Sequence, residues 1–94
     1  MLEIRVEQDG KVSLTGRLDA SQVNTARSFL DRLQGSTTLD CAGLDYISSA
    51  GISVLLVTLK RLQDAGHSLR LVQVNDRVKN VFRYAGLDRI FSVE

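Results

Sequence analysis

Few residues in this chain have side chains that could do chemistry, and two of them are adjacent. Ser48 and Ser49 lie in the stretch Leu-Asp-Tyr-Ile-Ser-Ser-Ala-Gly-Ile, residues 44–52. It joins an apolar strand (Thr37, Thr38, Leu39, Asp40, Cys41) to an apolar helix expected from about Ala50 to Asp64. The two hydroxyls therefore fall where a helix begins. Unpaired backbone N–H groups and the positive end of the helix dipole lie there. Such a place suits a helix cap or a phosphate.

Nucleophilic catalysis is a poor fit. A serine nucleophile needs a general base within reach, and the single histidine, His67, follows Gly66 in a turn beyond the helix. A helix of about fifteen residues is roughly 22 Å long, so His67 and Ser49 cannot meet within one domain, and His67 reads as a solvated turn residue. Ile47 also stands where a nucleophile elbow would place its first glycine. One Cys and one His do not make a metal site, and the carboxylates are scattered. No Gly-x-x-x-x-Gly-Lys-Ser/Thr or Gly-x-Gly-x-x-Gly run appears. The expectation is a protein that is not an enzyme and carries no cofactor.

Between cap and phosphate the residues leave both readings open. Serine is a preferred N-cap. Two adjacent hydroxyls are nonetheless more than one cap needs. Ala50 and Gly51 are small enough to admit another protein. Glycine in a first helical turn also costs up to ~1 kcal/mol relative to alanine, which points away from a purely structural role.

The elements that must position these serines follow from periodicity. Leu2, Ile4 and Val6 alternate with Glu3, Arg5 and Glu7 as in a half-buried strand. Asp9-Gly10 marks a turn, and Val12 and Leu14 begin the return strand of a hairpin. Asp19 or Ser21 can cap a first helix carrying Val23, Ala26, Leu30 and Leu33 and closed by Gly35-Ser36. Ile52, Leu55, Leu56, Leu59 and Leu62 form the buried stripe of the second helix, with Gly66 at its left-handed C-cap and Arg61 among its polar residues. Leu69, Leu71 and Val74 suggest a fourth strand. Asn75 or Asp76 would cap a third helix stopped by Gly86, and a last short strand is expected around Ile90-Phe91. The order β-β-α-β-α-β-α-(β) describes one α/β domain over residues 1–94. Its sheet is mixed, with four to five strands packed with three to four helices, and the later strands are parallel because helices join them.

Composition narrows the partners. At 44% hydrophobic residues the chain can bury a core, and twelve Lys and Arg against eleven Asp and Glu leave a net charge of +1. That balance gives no field for nucleic acid or an anionic membrane, and five aromatic rings supply no stacking platform. The lone Cys41 reads as a small core residue in a reducing compartment. The start lacks a signal-peptide pattern, and no apolar run is long enough to insert in a membrane. A cytoplasmic location is expected.

The motif resembles a known family. Leu39 to Leu56, "LDCAGLDYISSAGISVLL", is similar to the signature of STAS domains, particularly the bacterial anti-sigma factor antagonists. "GRLDASQVNTARSFLDRL" and "VNDRVKNVFRYAGLDRIF" resemble the family's first-helix and C-terminal segments. The resemblance implies a phosphoprotein whose serine before the second helix is phosphorylated by an anti-sigma factor with a histidine-kinase-like ATPase fold. It also implies a PPM-type serine phosphatase that removes the phosphate. Aligned on the usual Asp-Ser-Ser-Gly, Gly51 is the glycine, Ala50 takes the second hydroxyl position and Ser49 is the acceptor, with Ser48 as second choice. Ser48 stands where the family carries Asp, so recognition falls more on Asp19 and Asp45. The implied partner surface comprises these residues and Ser53. STAS domains also serve in membrane transport complexes, so the alternative is a subunit contacting an ABC-type ATPase without a phospho-switch.

Overall fold

The amino-terminal alternation becomes a hairpin. Leu2–Val6 (β1) pairs antiparallel with Val12–Leu18 (β2). From β2 the chain passes through a short 3-10 turn, Ala20–Gln22, into α1, Val23–Leu30. Thr37–Ile47 (β3), Ser49–Asp64 (α2), Leu69–Val72 (β4), Asp76–Tyr84 (α3) and the two-residue Ser92–Val93 (β5) follow. The computed structural model describes residues 1–93. The sheet order is β1-β2-β3-β4-β5, with every pair after the hairpin parallel. The order never reverses, so crossovers of one hand carry all three helices to the same face of the sheet.

Burial follows that layering. Val12, Leu14 and Leu18 of β2, Leu39, Cys41, Leu44 and Ile47 of β3, and Leu69 and Leu71 of β4 are buried. They meet Ala26 and Leu30 of α1, the stripe Ile52, Leu55, Leu59 and Leu62 of α2, and Val78 and Phe82 of α3 in one core. The residues between them, such as Thr15, Arg17 and Arg70, are exposed on the other side of the sheet. This is the mixed α/β sheet expected, with four full strands, a vestigial fifth and three helices. No helix among the described residues is long and apolar enough to cross a membrane.

Several boundaries differ from the sequence reading, each for a physical reason. β3 continues to Ile47, so Gly43 to Ile47 belong to a strand and not to a loop. Leu18 still pairs with Ile47 because β3 holds two extra residues, one between the partners of Ser13 and Thr15 and one, Asp45, between those of Gly16 and Arg17. Both are bulges, which a hydrophobicity pattern hides. α1 ends at Leu30, and Leu33 sits in a turn whose N–H donates to the Leu30 carbonyl. Arg61, one of the polar residues of α2, spans to that helix end and donates to the carbonyls of Leu30 (2.7 Å) and Leu33 (2.8 Å). The last strand lies two residues later than expected because Phe91 turns inward instead, edge-on to Phe82 at 5.2 Å.

The C-termini of α2 and α3 close alike. Gly66 and Gly86 take positive φ (83° and 73°), and the N–H of the next residue returns to the carbonyls of Leu62 and Phe82. These are Schellman closures, which glycine adopts without strain.

Cys41 is buried in β3, and desolvation, with Asp40 adding to it, pushes its thiol from 9.0 up to about 12. The raised value means that above pH 9.0 the unfolded chain loses this proton while the folded one keeps it. Stability must therefore fall as pH climbs from 9.0 toward 12. Relative to Cys41→Ala, wild type is expected to lose up to about 1.4 kcal/mol per pH unit in that window, measured as the divergence of urea midpoints between pH 8 and pH 10.5.

Candidate functional site

β2 and β3 end side by side, and the chain leaves both at the same level. Leu18 faces Ile47. Asp19 then opens the 3-10 turn, and Ser48 opens α2. The Ser48 N–H donates to the Leu18 carbonyl at 3.0 Å, which ties the start of α2 to the end of β2.

The two serines have different tasks. Ser48 is the N-cap, with extended backbone (φ −97°, ψ 172°) and its Oγ accepting from the Gly51 N–H at 3.3 Å. Its carbonyl accepts the first helical bond, from Ile52 at 2.9 Å. Ser49 is the first helical residue and is exposed. Its Oγ has no hydrogen-bond partner among the described residues. The choice between cap and phosphate acceptor, posed for Ser49, thus divides over two residues: Ser48 takes the cap and Ser49 stays free.

Gly51 serves a purpose other than the one its size suggested. It is buried, so it offers no surface to a partner. A Cβ there would lie 2.5 Å from the Leu18 carbonyl oxygen, 2.8 Å from Leu18 Cγ and 2.9 Å from Ile47 Cγ1. Glycine lets α2 sit directly on the strand ends, and this close seating offsets its poor helix propensity. Ala50 is half-buried. Ser53, one turn after Ser49, is exposed and donates its hydroxyl to the Ser49 carbonyl at 3.0 Å.

Of the two acidic residues expected here, Asp19 is the more constrained. It caps the 3-10 turn, its Oδ1 accepting from the Ser21 N–H (3.0 Å) and hydroxyl (2.7 Å), while its own N–H donates to Gln22 Oε1 at 3.0 Å. Ser21, the other cap offered by the sequence, is the donor. The Ser21 hydroxyl, then its N–H, and less strongly Arg17, hold the Asp19 carboxyl below its ordinary 3.8. Arg17 Nε lies 3.6 Å from Asp19 Oδ2, and its guanidinium lies over the Tyr46 ring at 4.4 Å. Arg17 and Tyr46 are cross-strand partners that sequence reasoning passed over. The alternation of β2 places Arg17 on the face away from the core, and the bulge at Asp45 brings Tyr46 opposite it. Asp45 itself projects from that bulge, exposed and with no ion pair among the described residues.

His67 stands beyond the other end of α2, whose sixteen residues span about 24 Å. It is half-buried rather than solvated, and its N–H closes the helix on the Leu62 carbonyl. No set of three His, Cys, Asp or Glu that could hold a metal occurs among the described residues. The site is therefore a capped helix start presenting one free hydroxyl beside an acidic turn.

A family model described as Mlab, STAS domain matches residues 3–93. The chain belongs to the STAS domain family. Anti-sigma factor antagonists are among its relatives. The Bordetella bronchiseptica protein BtrV, assigned as an anti-sigma factor antagonist, is 38% identical over 64 residues, 68% of this chain but only 55% of BtrV. The anti-sigma-B factor antagonist of Bacillus subtilis is 29% identical over 93% of this chain and 83% of its own length.

Solved structures share the fold. A Thermotoga maritima protein assigned as an anti-sigma factor antagonist superposes with TM-score 0.79 at 22% identity, over 99% of this chain and 85% of its own. The antagonist SpoIIAA in its unphosphorylated form gives 0.76 at 17% identity, over 100% and 88%. A sulfate transporter family protein of Wolinella succinogenes gives 0.75 at 17% identity, over 94% and 84%.

Replacing each serine by alanine is expected to separate their tasks. Ser48→Ala should cost about 1 kcal/mol of stability through the lost cap, and Ser49→Ala should stay within about 0.5 kcal/mol of wild type. Gly51→Ala should cost roughly 1–3 kcal/mol despite its better helix propensity, because the new methyl meets backbone. Urea unfolding of the three variants under one condition checks the order.

Proposed function

We propose that this STAS domain is an anti-sigma factor antagonist working in a phosphorylation-controlled partner switch in the cytoplasm. Unmodified, the start of α2 docks on an anti-sigma factor of histidine-kinase-like ATPase fold and frees the sigma factor. That partner transfers the γ-phosphoryl group of ATP to Ser49 Oγ, releasing ADP, and the modified domain leaves. A PPM-type phosphatase hydrolyses the ester and resets the switch. The reading is carried by one observation: Ser49 is exposed and its Oγ has no hydrogen-bond partner among the described residues, Ser48 already capping the helix.

The physics supports a switch without refolding. A phosphoserine adds roughly −1.5 to −2 charge at neutral pH, at the end of a helix whose dipole favours anions. Ser49 contributes no side-chain bond that the phosphate would break. The interface is what suffers, since a hydrated dianion must be stripped of water or held against a partner fitted to a neutral hydroxyl. About 3 kcal/mol of lost binding changes affinity more than a hundredfold. Serine in place of the family's aspartate at position 48 keeps a good cap and removes a fixed negative charge beside the acceptor. Asp45, without an ion pair among the described residues, and Asp19 and Ser53 remain for recognition around Ser49.

A second reading has its own support in the match to the Mlab model and in the likeness to a sulfate transporter family protein. There the same helix start would hold an ABC-type ATPase subunit with no phosphate involved.

Incubation with the cognate anti-sigma kinase and ATP, followed by mass spectrometry, is expected to place phosphate on Ser49 and none on Ser49→Ala. Ser49→Asp should unfold at or slightly above the wild-type temperature yet bind the kinase at least tenfold more weakly. Undiminished binding by Ser49→Asp would sink the switch, and co-purification with a transport ATPase would favour the second reading.

A further inference from the structure

β1 is an edge strand that, among the described residues, pairs with β2 alone. All the helical crossovers lead away from it, toward β5. Its apolar row is correspondingly underdressed: Leu2 and Ile4 are only half-buried and Val6 is 65% exposed. On the alternate positions Glu3 and Arg5 are exposed and joined by a 3.2 Å ion pair. Edge strands with free backbone groups template further pairing unless charges or bulges prevent it. Here the charges are of both signs and symmetrically placed.

The direction of the backbone groups fixes which pairings are available. Arg17 donates to the Met1 carbonyl and Glu7 donates to the Lys11 carbonyl, so odd-numbered residues of β1 point their N–H and C=O groups at β2. In an antiparallel ladder these directions alternate. The N–H and C=O groups of Leu2, Ile4 and Val6 therefore point outward. A second strand must meet those three residues.

We propose that β1 is a homodimer interface, pairing antiparallel with β1 of a second copy about a two-fold axis through Ile4. In that register Leu2 faces Val6 of the second copy, Ile4 faces Ile4, and Glu3 faces Arg5 in both directions. All outward groups of Leu2, Ile4 and Val6 find partners, and the exposed Val6 gains an apolar neighbour. The two intrastrand ion pairs merge into a square in which every charge has opposite-charge neighbours. The neighbouring registers that keep the outward residues paired fail on charge. Centring on Glu3 sets Glu3 against Glu3, and centring on Arg5 sets Arg5 against Arg5, arrangements that destabilise a strand pair. An edge guarded by one sign of charge would repel in every register. This one accepts its own copy in the register that pairs all three outward residues with one another, forming a continuous ten-stranded sheet across an isologous contact. The interface stands on β1 alone and does not rest on the phospho-switch.

Five residues a side make a small contact, below the roughly 1,000 Å² of strong interfaces, so association is concentration-dependent. Sedimentation velocity from about 10 μM to about 1 mM, a range that spans weak affinity, is expected to show a monomer–dimer equilibrium weakened by added salt. Glu3→Arg and Arg5→Glu should each reduce association at least tenfold. The double variant Glu3→Arg/Arg5→Glu should restore it, and mixing the two single variants should yield a heterodimer. Both side chains are more than half exposed, so thermal melts should confirm intact folds. Hydrogen exchange of the wild type reads the register without any variant. Amides of Leu2, Ile4 and Val6 should gain protection as concentration rises, while those of Glu3 and Arg5 are protected throughout. A chain monomeric to ~1 mM, outward amides unprotected at every concentration, or single variants that dimerise like wild type would overturn the proposal.

Discussion

The carbonyl of Leu18 is the point on which the site depends. It accepts the Ser48 N–H, and it is the atom a side chain at position 51 would strike. One oxygen at the end of β2 therefore sets both the direction in which the chain leaves β3 and the closeness with which α2 begins. The cap, the exposure of Ser49 and the nearness of the Asp19 turn follow from that contact. At its far end α2 is secured again, through Arg61 on the last carbonyls of α1 and through the Schellman closure at Gly66. A helix pinned at both ends has its first turn fixed in place.

Much of this fold is legible in the sequence because its signals are local. The alternation in Leu2–Val6, the three-four spacing in α2 and the glycines after α2 and α3 each report a period or a backbone conformation, and each element lies where they put it. What was not legible depends on contacts distant in sequence. The last six residues of β3 are hidden because its bulges interrupt the period-two pattern after Cys41. Arg61 looked like any surface cation because its acceptors lie about thirty residues away. Gly51 looked like an opening for a partner because nothing local reveals that Leu18 and Ile47 occupy the space beside it.

The site residues show the same division. The pair Ser48-Ser49 stood out in the sequence, but their separate tasks did not, since both are good caps and differ only by one position along the helix. A shift of the helix start from Ala50 to Ser49 decides which hydroxyl is engaged. Around them Asp19 carries a charge already committed to Ser21 and Arg17, whereas Asp45 carries one that is uncommitted. Electrostatic influence on an incoming group is thus unequal between two carboxylates that the sequence ranks alike.

The paired bulges of β3 have a consequence for how this chain can change length. Each inserted residue turns every later side chain of a strand to the opposite face. The first brings Leu44 inward, and the second restores the original parity, so that Ile47 joins Leu39 and Cys41 in the core. Loss of either bulge alone would leave Ile47 facing water and carry the serines to the wrong side of the sheet. Loss of both would return them nearly to where they started. Within this strand, insertions and deletions should be tolerated by twos, so the spacing from Leu39 to Ser49 is constrained in its parity more than in its length.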